Sequence, residues 1–154
     1  WGMTGGLRLW TGSILLIAGL VSWTLLEYLL HRFVLHGRGP FQRWHEEHHR
    51  RPEIPMRTPL VFSLMLLLVM VLLPGLLIGD IATGAAFSGG LILGHLLQEV
   101  VHHRLHQSVP QAGGWLAQRQ RQHLRHHNED ETLAFGTLTG VWDRVFGTDR
   151  RHPG

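Results

Sequence analysis

The chain has no cysteine and no lysine. Without cysteine it can form no disulfide, bind no iron–sulfur cluster and offer no thiolate to a haem. Its fourteen basic residues are all arginine. They sit beside apolar stretches, a distribution that suits a membrane surface. No aromatic–basic motif accompanies them, so no nucleic-acid partner is expected. There is no haem-binding or flavin fingerprint, so the chain carries no electron-transfer domain of its own. Charge is missing altogether from three long stretches, Leu9 to Leu26, Pro59 to Gly79 and Ile81 to Gln98. Each approaches the roughly 20 apolar residues that cross a hydrocarbon core. With 154 residues the chain reads as one domain, 1–154. It opens on Trp1 rather than Met, and an N-terminal piece is expected to be missing.

What the chain has in excess is histidine. Ten of its thirteen histidines fall into four tight clusters: His31 and His36; His45, His48 and His49; His102 and His106; His123, His126 and His127. A terminal run would suggest an expression tag and a low-complexity tract a storage segment, but these clusters are spread over almost a hundred residues. Neutral imidazole is the commonest protein ligand for transition metals, and a helix sets residues three and four apart on one face. His45, His48 and His49 can therefore point together, as can His123, His126 and His127, and the pair His102 and His106. His31 and His36 are five apart, about 140° around an ideal helix. They must serve different metals, or straddle a local distortion or a helix end. The pattern predicts a polyhistidine metal site for more than one ion. His95, His103 and His152 lie outside the repeated spacings and read as packing or surface residues.

Topology supplies an independent check. The first apolar run ends just before His31. The second and third are separated by little more than Gly79-Asp80, a tight hairpin, and the third ends just before His102. All four clusters therefore emerge on one side of the membrane. Six arginines lie from Arg32 to Arg57 and none at the hairpin tip, which marks that side as cytoplasmic. Pro74-Gly75 is expected to kink the second span, and Gly90-Leu-Ile-Leu-Gly94 to allow close helix approach. The expected fold is all-α: an integral membrane domain of about three spans with a cytoplasmic histidine-rich helical cap holding a metal site for more than one ion.

Glu27 precedes His31 by four residues and Glu99 precedes His102 by three. Metal-bound histidines commonly donate their second N–H to a carboxylate or carbonyl, so both acids are candidates for orienting a ligand. Glu99-Val-Val-His102 also matches the Glu-x-x-His unit of carboxylate-bridged di-iron bundles, but those need about four carboxylates where this chain offers two. After His45-Glu46 the next histidine comes one position too early for His-Glu-x-x-His, so a metalloprotease is not expected.

His31-x4-His36, His45-x2-His48-His49, His102-x3-His106 and His123-x2-His126-His127, in this order, resemble the histidine boxes of the fatty acid hydroxylase/sterol desaturase superfamily. The stretch from Phe135 to Thr148 is similar to that family's closing signature, and the resemblance runs from Glu27 to Thr148. It implies an integral membrane non-haem di-iron oxygenase that uses O2 to hydroxylate or desaturate a lipid C–H bond. The ten boxed histidines carry over as candidate iron ligands around two Fe ions, with Zn a substitute because imidazole accepts both. Trp142-Asp143-Arg144 reads as a segment packing under the site, with Asp143 a candidate partner for an arginine or a ligand histidine. Gln107 stands where some relatives place another histidine. Reducing equivalents would come from a separate cytochrome b5- or ferredoxin-like partner, or from a domain preceding Trp1.

The substrate stays open at this level. The closing signature looks most like that of hydroxylases acting on fatty acyl or ceramide chains. The compact His36 to His45 connection resembles carotenoid hydroxylases, and sterol-modifying relatives are a further alternative. A membrane metal-binding or transport protein is the alternative of another class, but a transporter should carry polar residues through its spans. Arginines such as Arg57 could hold an anionic headgroup, although interfacial positive charge explains them as well.

Overall fold

The computed structural model describes residues 2–54, 58–78, 81–107, 109 and 113–149, with side chains from residue 9 onward. The described residues are helical, without strands: α1 (Gly2–Leu29), a π-helical turn (Leu30–Leu35), α2 (Gln42–Arg50), α3 (Leu60–Ile78), α4 (Ile81–Gln107), α5 (Trp115–Asn128) and α6 (Val141–Val145). Three helical stretches are long and apolar enough to cross a membrane: Leu9–Leu35, Leu60–Ile78 and Ile81–Gln107. α3 is apolar on all sides, and Leu60, Leu64, Leu68 and Leu76 are exposed on it. A helix of that kind needs an apolar solvent, and in lipid it satisfies every backbone group internally. The expected hairpin tip at Gly79-Asp80 lies outside the described residues.

The chain divides into two compact units, Trp1–Trp23 with Thr58–Leu96, and Thr24–Arg57 with Leu97–Gly154. In the first, α1 and α4 approach until backbone meets backbone. A Cβ built on Gly90 would lie 2.0 Å from the Leu16 carbonyl oxygen, and one on Gly94 would lie 2.6 Å from Cβ of the buried Trp23. The small-xxx-small pair thus serves the close approach that its spacing suggested. α3 runs on through Pro74, which is buried, and Gly75 faces Gly84 of α4.

The second unit holds the histidine clusters. Its apolar centre is Tyr28, Leu105, Ala117 and Phe135, all at most 4% exposed. Tyr28 stacks on Phe146 at 5.2 Å and meets Phe135 edge-on. Its hydroxyl accepts from Arg32 at 2.7 Å and hydrogen-bonds Thr148 Oγ1 at 3.1 Å. Trp142 Nε1 donates to Thr24 Oγ1 at 2.9 Å. The closing stretch is therefore tied to the end of α1 over more than a hundred residues of sequence.

Candidate metal centre

The π-helical turn answers the question posed by His31 and His36. The His36 amide donates to the His31 carbonyl at 3.0 Å, an i→i+5 bond that sets residues five apart nearly above one another. Both imidazoles then point the same way, which a regular α-helix would forbid.

All ten clustered histidines converge in the second unit, as two groups of five: His31, His36, His45, His49 and His126; and His48, His102, His106, His123 and His127. Within each group the ligand atoms lie within 4.8 Å of one another. The two triplets do not point together as their spacing suggested. On α2 the one-turn pair His45 and His49 joins the first group while His48 turns to the second. On α5 the pair His123 and His127 joins the second while His126 turns to the first. The physical reason is angular: residues one apart on a helix diverge by about 100°, so a triplet packed between two groups serves both. His49 and His127 stack at 4.0 Å, nearly parallel, where the groups touch.

The nitrogens themselves test whether cations fit. His45 Nε2 lies 3.0 Å from Nε2 of His31, 3.1 Å from that of His36 and 3.2 Å from that of His49. In the second group His102 Nε2 is 3.1 Å from both His48 and His106, and His123 is 2.8 Å from His106. One proton on His45 Nε2 can satisfy only one of three such neighbours, whereas a shared cation satisfies all. Nitrogens about 2.1 Å from a metal and at right angles to each other lie about 3.0 Å apart, the spacing seen here. The donor set is all-imidazole, suited to iron or zinc.

The site keeps its imidazoles neutral. Burial holds His36 and His48 at about 4. Burial, then the neighbouring imidazoles, hold His49 at about 3 and His45, His123, His126 and His127 well below the ordinary histidine range. Neutral imidazole is the form that binds metal. A histidine pKa lowered in the folded state takes up protons first in the unfolded chain, so stability is present above about 6.5 and lost as pH falls toward about 4. Chelator-stripped protein should therefore unfold at markedly lower temperature at pH 5 than at pH 7.5, a difference that thermal melts would read. Equal melting temperatures would mean the clusters are solvated.

The outward nitrogens find backbone. His31 Nδ1 bonds the Phe135 carbonyl and His126 Nδ1 the Leu133 carbonyl, each at 2.6 Å. Ala134 between them has φ 56°, a left-handed conformation uncommon outside glycine. It is held there: its amide donates to the Thr148 carbonyl at 3.0 Å. The Phe135 and Gly136 amides donate to Asp143 at 2.8 and 3.0 Å, and Thr148 Oγ1 donates to Asp143 Oδ1 at 2.8 Å. Asp143 is 2% exposed. Burial raises its carboxyl above the usual range, against these three bonds and the Arg119 charge. Glu27 accepts from the Thr137 amide at 2.6 Å and from that of Leu138 at 3.4 Å. Both acids thus hold the 135–138 backbone, and His31 bonds a carbonyl of that backbone rather than the Glu27 carboxylate.

Glu99 is half-buried and lines a cavity of about 190 Å³ with His48, His102, His103 and His106. If it orients His102 as its spacing suggests, Glu99→Gln should leave the fold intact, weaken metal binding and impair turnover. Wild-type turnover by that variant would make Glu99 a packing residue. His103 is exposed, His95 packs against Trp23 in the first unit at 4.9 Å, and Gln107 Nε2 donates to the Glu53 carbonyl at 3.1 Å. His152 and Arg57 lie outside the described residues.

Residues that sequence reasoning missed are Leu133 and Phe135, which act through carbonyls, and Glu131, whose carboxylate stands 3.7 Å from His49 Nδ1 and 3.9 Å from His36 Nδ1. A backbone carbonyl leaves no signature in side-chain type, and Glu131 sits in an acidic turn that reads as solvated.

The geometry agrees with what this chain is similar to. The fatty acid hydroxylase family model matches residues 16–148. A fatty acid 2-hydroxylase of Rattus norvegicus is 33% identical over an alignment that covers 87% of this chain and 39% of that protein. A dihydroceramide fatty acyl 2-hydroxylase of Arabidopsis thaliana is 30% identical, over 88% of this chain and 60% of that protein. The solved structure of full-length scs7p, in which only the hydroxylase domain is visible, superposes with a TM-score of 0.80 at 27% identity, over 95% of this chain and 58% of that one. The chain thus spans between about two fifths and three fifths of these relatives. With the family model covering both the boxes and the closing stretch that clamps them, the chain belongs to the fatty acid hydroxylase family.

Proposed function

We propose that residues 1–154 form one membrane-embedded domain of a non-haem di-iron hydroxylase that places a hydroxyl group on the second carbon of a fatty acyl chain. The observation that carries this reading is the convergence of ten imidazoles into two groups of five, in a chain whose relatives are fatty acyl 2-hydroxylases by name. The His31, His36, His45, His49 and His126 group would hold one iron, and the His48, His102, His106, His123 and His127 group the other. When bound, the two ions supply the oxidising power with which O2 attacks a C–H bond.

The chain's own residues do the rest. Burial keeps the imidazoles neutral. The backbone from 133 to 138, with its 135–138 amides bonded to Asp143 and Glu27, orients His31 and His126. The apolar surface of the spanning helices suits an acyl chain, and holding one C–H in place at the site lowers the entropic part of the barrier. Replacing C–H by C–OH with O2 also yields one water and requires two electrons and two protons, so a separate cytochrome b5- or ferredoxin-like donor is part of the reading. The arginine-rich connection around α2 supports a cytoplasmic position for the site.

Acyl-chain analysis of cells expressing the protein, beside cells expressing His49→Ala, tests the proposal. Chains heavier by one oxygen, with the hydroxyl at the second carbon, are expected only with the wild type. Unchanged acyl chains alongside oxidised sterols or carotenoids would overturn it.

A further inference from the structure

The two histidine groups are supported unequally. Three alternate residues of one segment face the outer nitrogens of the first group. Leu133 and Phe135 accept from His126 and His31. The Glu131 carboxylate stands at ion-pair distance from two more, 3.7 Å from His49 Nδ1 and 3.9 Å from His36 Nδ1. Four of the five imidazoles thus face acceptors from residues 131–135, two of them through hydrogen bonds; Nδ1 of His45, and of His49 with Glu131 at 3.7 Å, are buried without a hydrogen-bond partner. In the second group Nδ1 of His48, His123 and His127 are all buried without a hydrogen-bond partner among the described residues. That group also borders open space: His48, His102 and His106 line the cavity of about 190 Å³ with Ile54, room for about six waters at about 30 Å³ each.

We propose that residues 131–135 are an outer clamp dedicated to the first group, with Glu131 its positioning residue, so that the first group holds a divalent cation firmly while the second exchanges its cation through the cavity. This rests on the dinuclear reading given above. Acceptors on the outer nitrogen fix the ring and raise its basicity, and losing one costs about 10–100-fold in metal affinity. An unclamped imidazole swings away from its ion more freely, and a water-sized cavity beside it offers the departing ion a hydration shell.

The test is metal release from the full chain in detergent, loaded with two Co2+ per chain and challenged with excess EDTA. Two phases of one equivalent each are expected, at least about tenfold apart in rate. Glu131→Ala should speed the slow phase by about 10–100-fold, leave the fast phase unchanged and shift the visible bands of the more tightly held Co2+. Glu131 is 56% exposed, so the variant should fold. Ile54→Trp, which narrows the cavity, should slow the fast phase only. Release of both ions in one phase, or an equal effect of Glu131→Ala on both phases, overturns the clamp while leaving two ions bound. A wild type that never holds two ions overturns the dinuclear reading, and this inference with it.

Discussion

His126→Ala should abolish turnover and cost the protein at least one bound metal. His126 is fully buried, with Nε2 3.0 Å from that of His36 and Nδ1 on the Leu133 carbonyl. Removing the ring deletes one of five donors and leaves that carbonyl without its bond. It also opens a void where His31, His36 and Phe135 now pack edge-on at 4.7 to 5.4 Å. Loss of an outer-shell partner alone costs about 10–100-fold, so loss of the ligand should exceed that. Metal content of the purified variant, compared with about two ions per chain for the wild type, reads the binding effect, and product formation reads the catalytic one. His152→Ala, in the polar tail outside every repeated spacing, should change neither. A His126→Ala protein that keeps both ions and turns over would remove His126 from the ligand set.

Gly90→Val should be the most damaging single change away from the metal centre. Its new Cβ would sit 2.0 Å from the Leu16 carbonyl oxygen and 2.8 Å from the Leu20 amide nitrogen, closer than any real contact. The obstacle is backbone, not a flexible side chain, so relief requires α1 and α4 to separate. Overpacking costs about 1–3 kcal/mol and occasionally more, a large share of a marginally stable fold. Gly89→Val is the matched control, because nothing lies within 4 Å of its Cβ. Detergent-solubilised yield and thermal aggregation temperature should fall sharply for the first variant and little for the second. Equal behaviour of the pair would mean that close approach at Gly90 does not hold the helices together.

Much of the architecture was legible because its causes are local. An uncharged run of about twenty residues has one stable home whatever surrounds it, so the three spans followed from composition, and the parity of those spans put the four clusters on one side. The histidine boxes and the closing stretch identified the family because metal ligation demands particular side chains at particular intervals. Even the irregularity at His31 and His36 was visible, since five residues do not fit a regular helix and something had to give.

What the sequence could not decide is which imidazole goes where. Helical spacing says which side chains share a face, and by that rule each triplet seemed to form one unit. Only the packing of α2 and α5 against the π-helical turn and α4 determined that His48 and His126 leave their neighbours and cross to opposite groups. The same holds for the acids. Glu27 and Asp143 stand out in the sequence as buried charges near ligands, but their bonds go to backbone amides of 135–138, and that backbone carries the carbonyl His31 uses. Side-chain type determined that this protein is a membrane protein with a polyhistidine site, because hydrophobicity and ligand chemistry belong to individual residues. The division into two groups of five was decided by tertiary structure, because it depends on how α2, α4, α5 and the π-helical turn pack, and that packing joins residues distant in sequence.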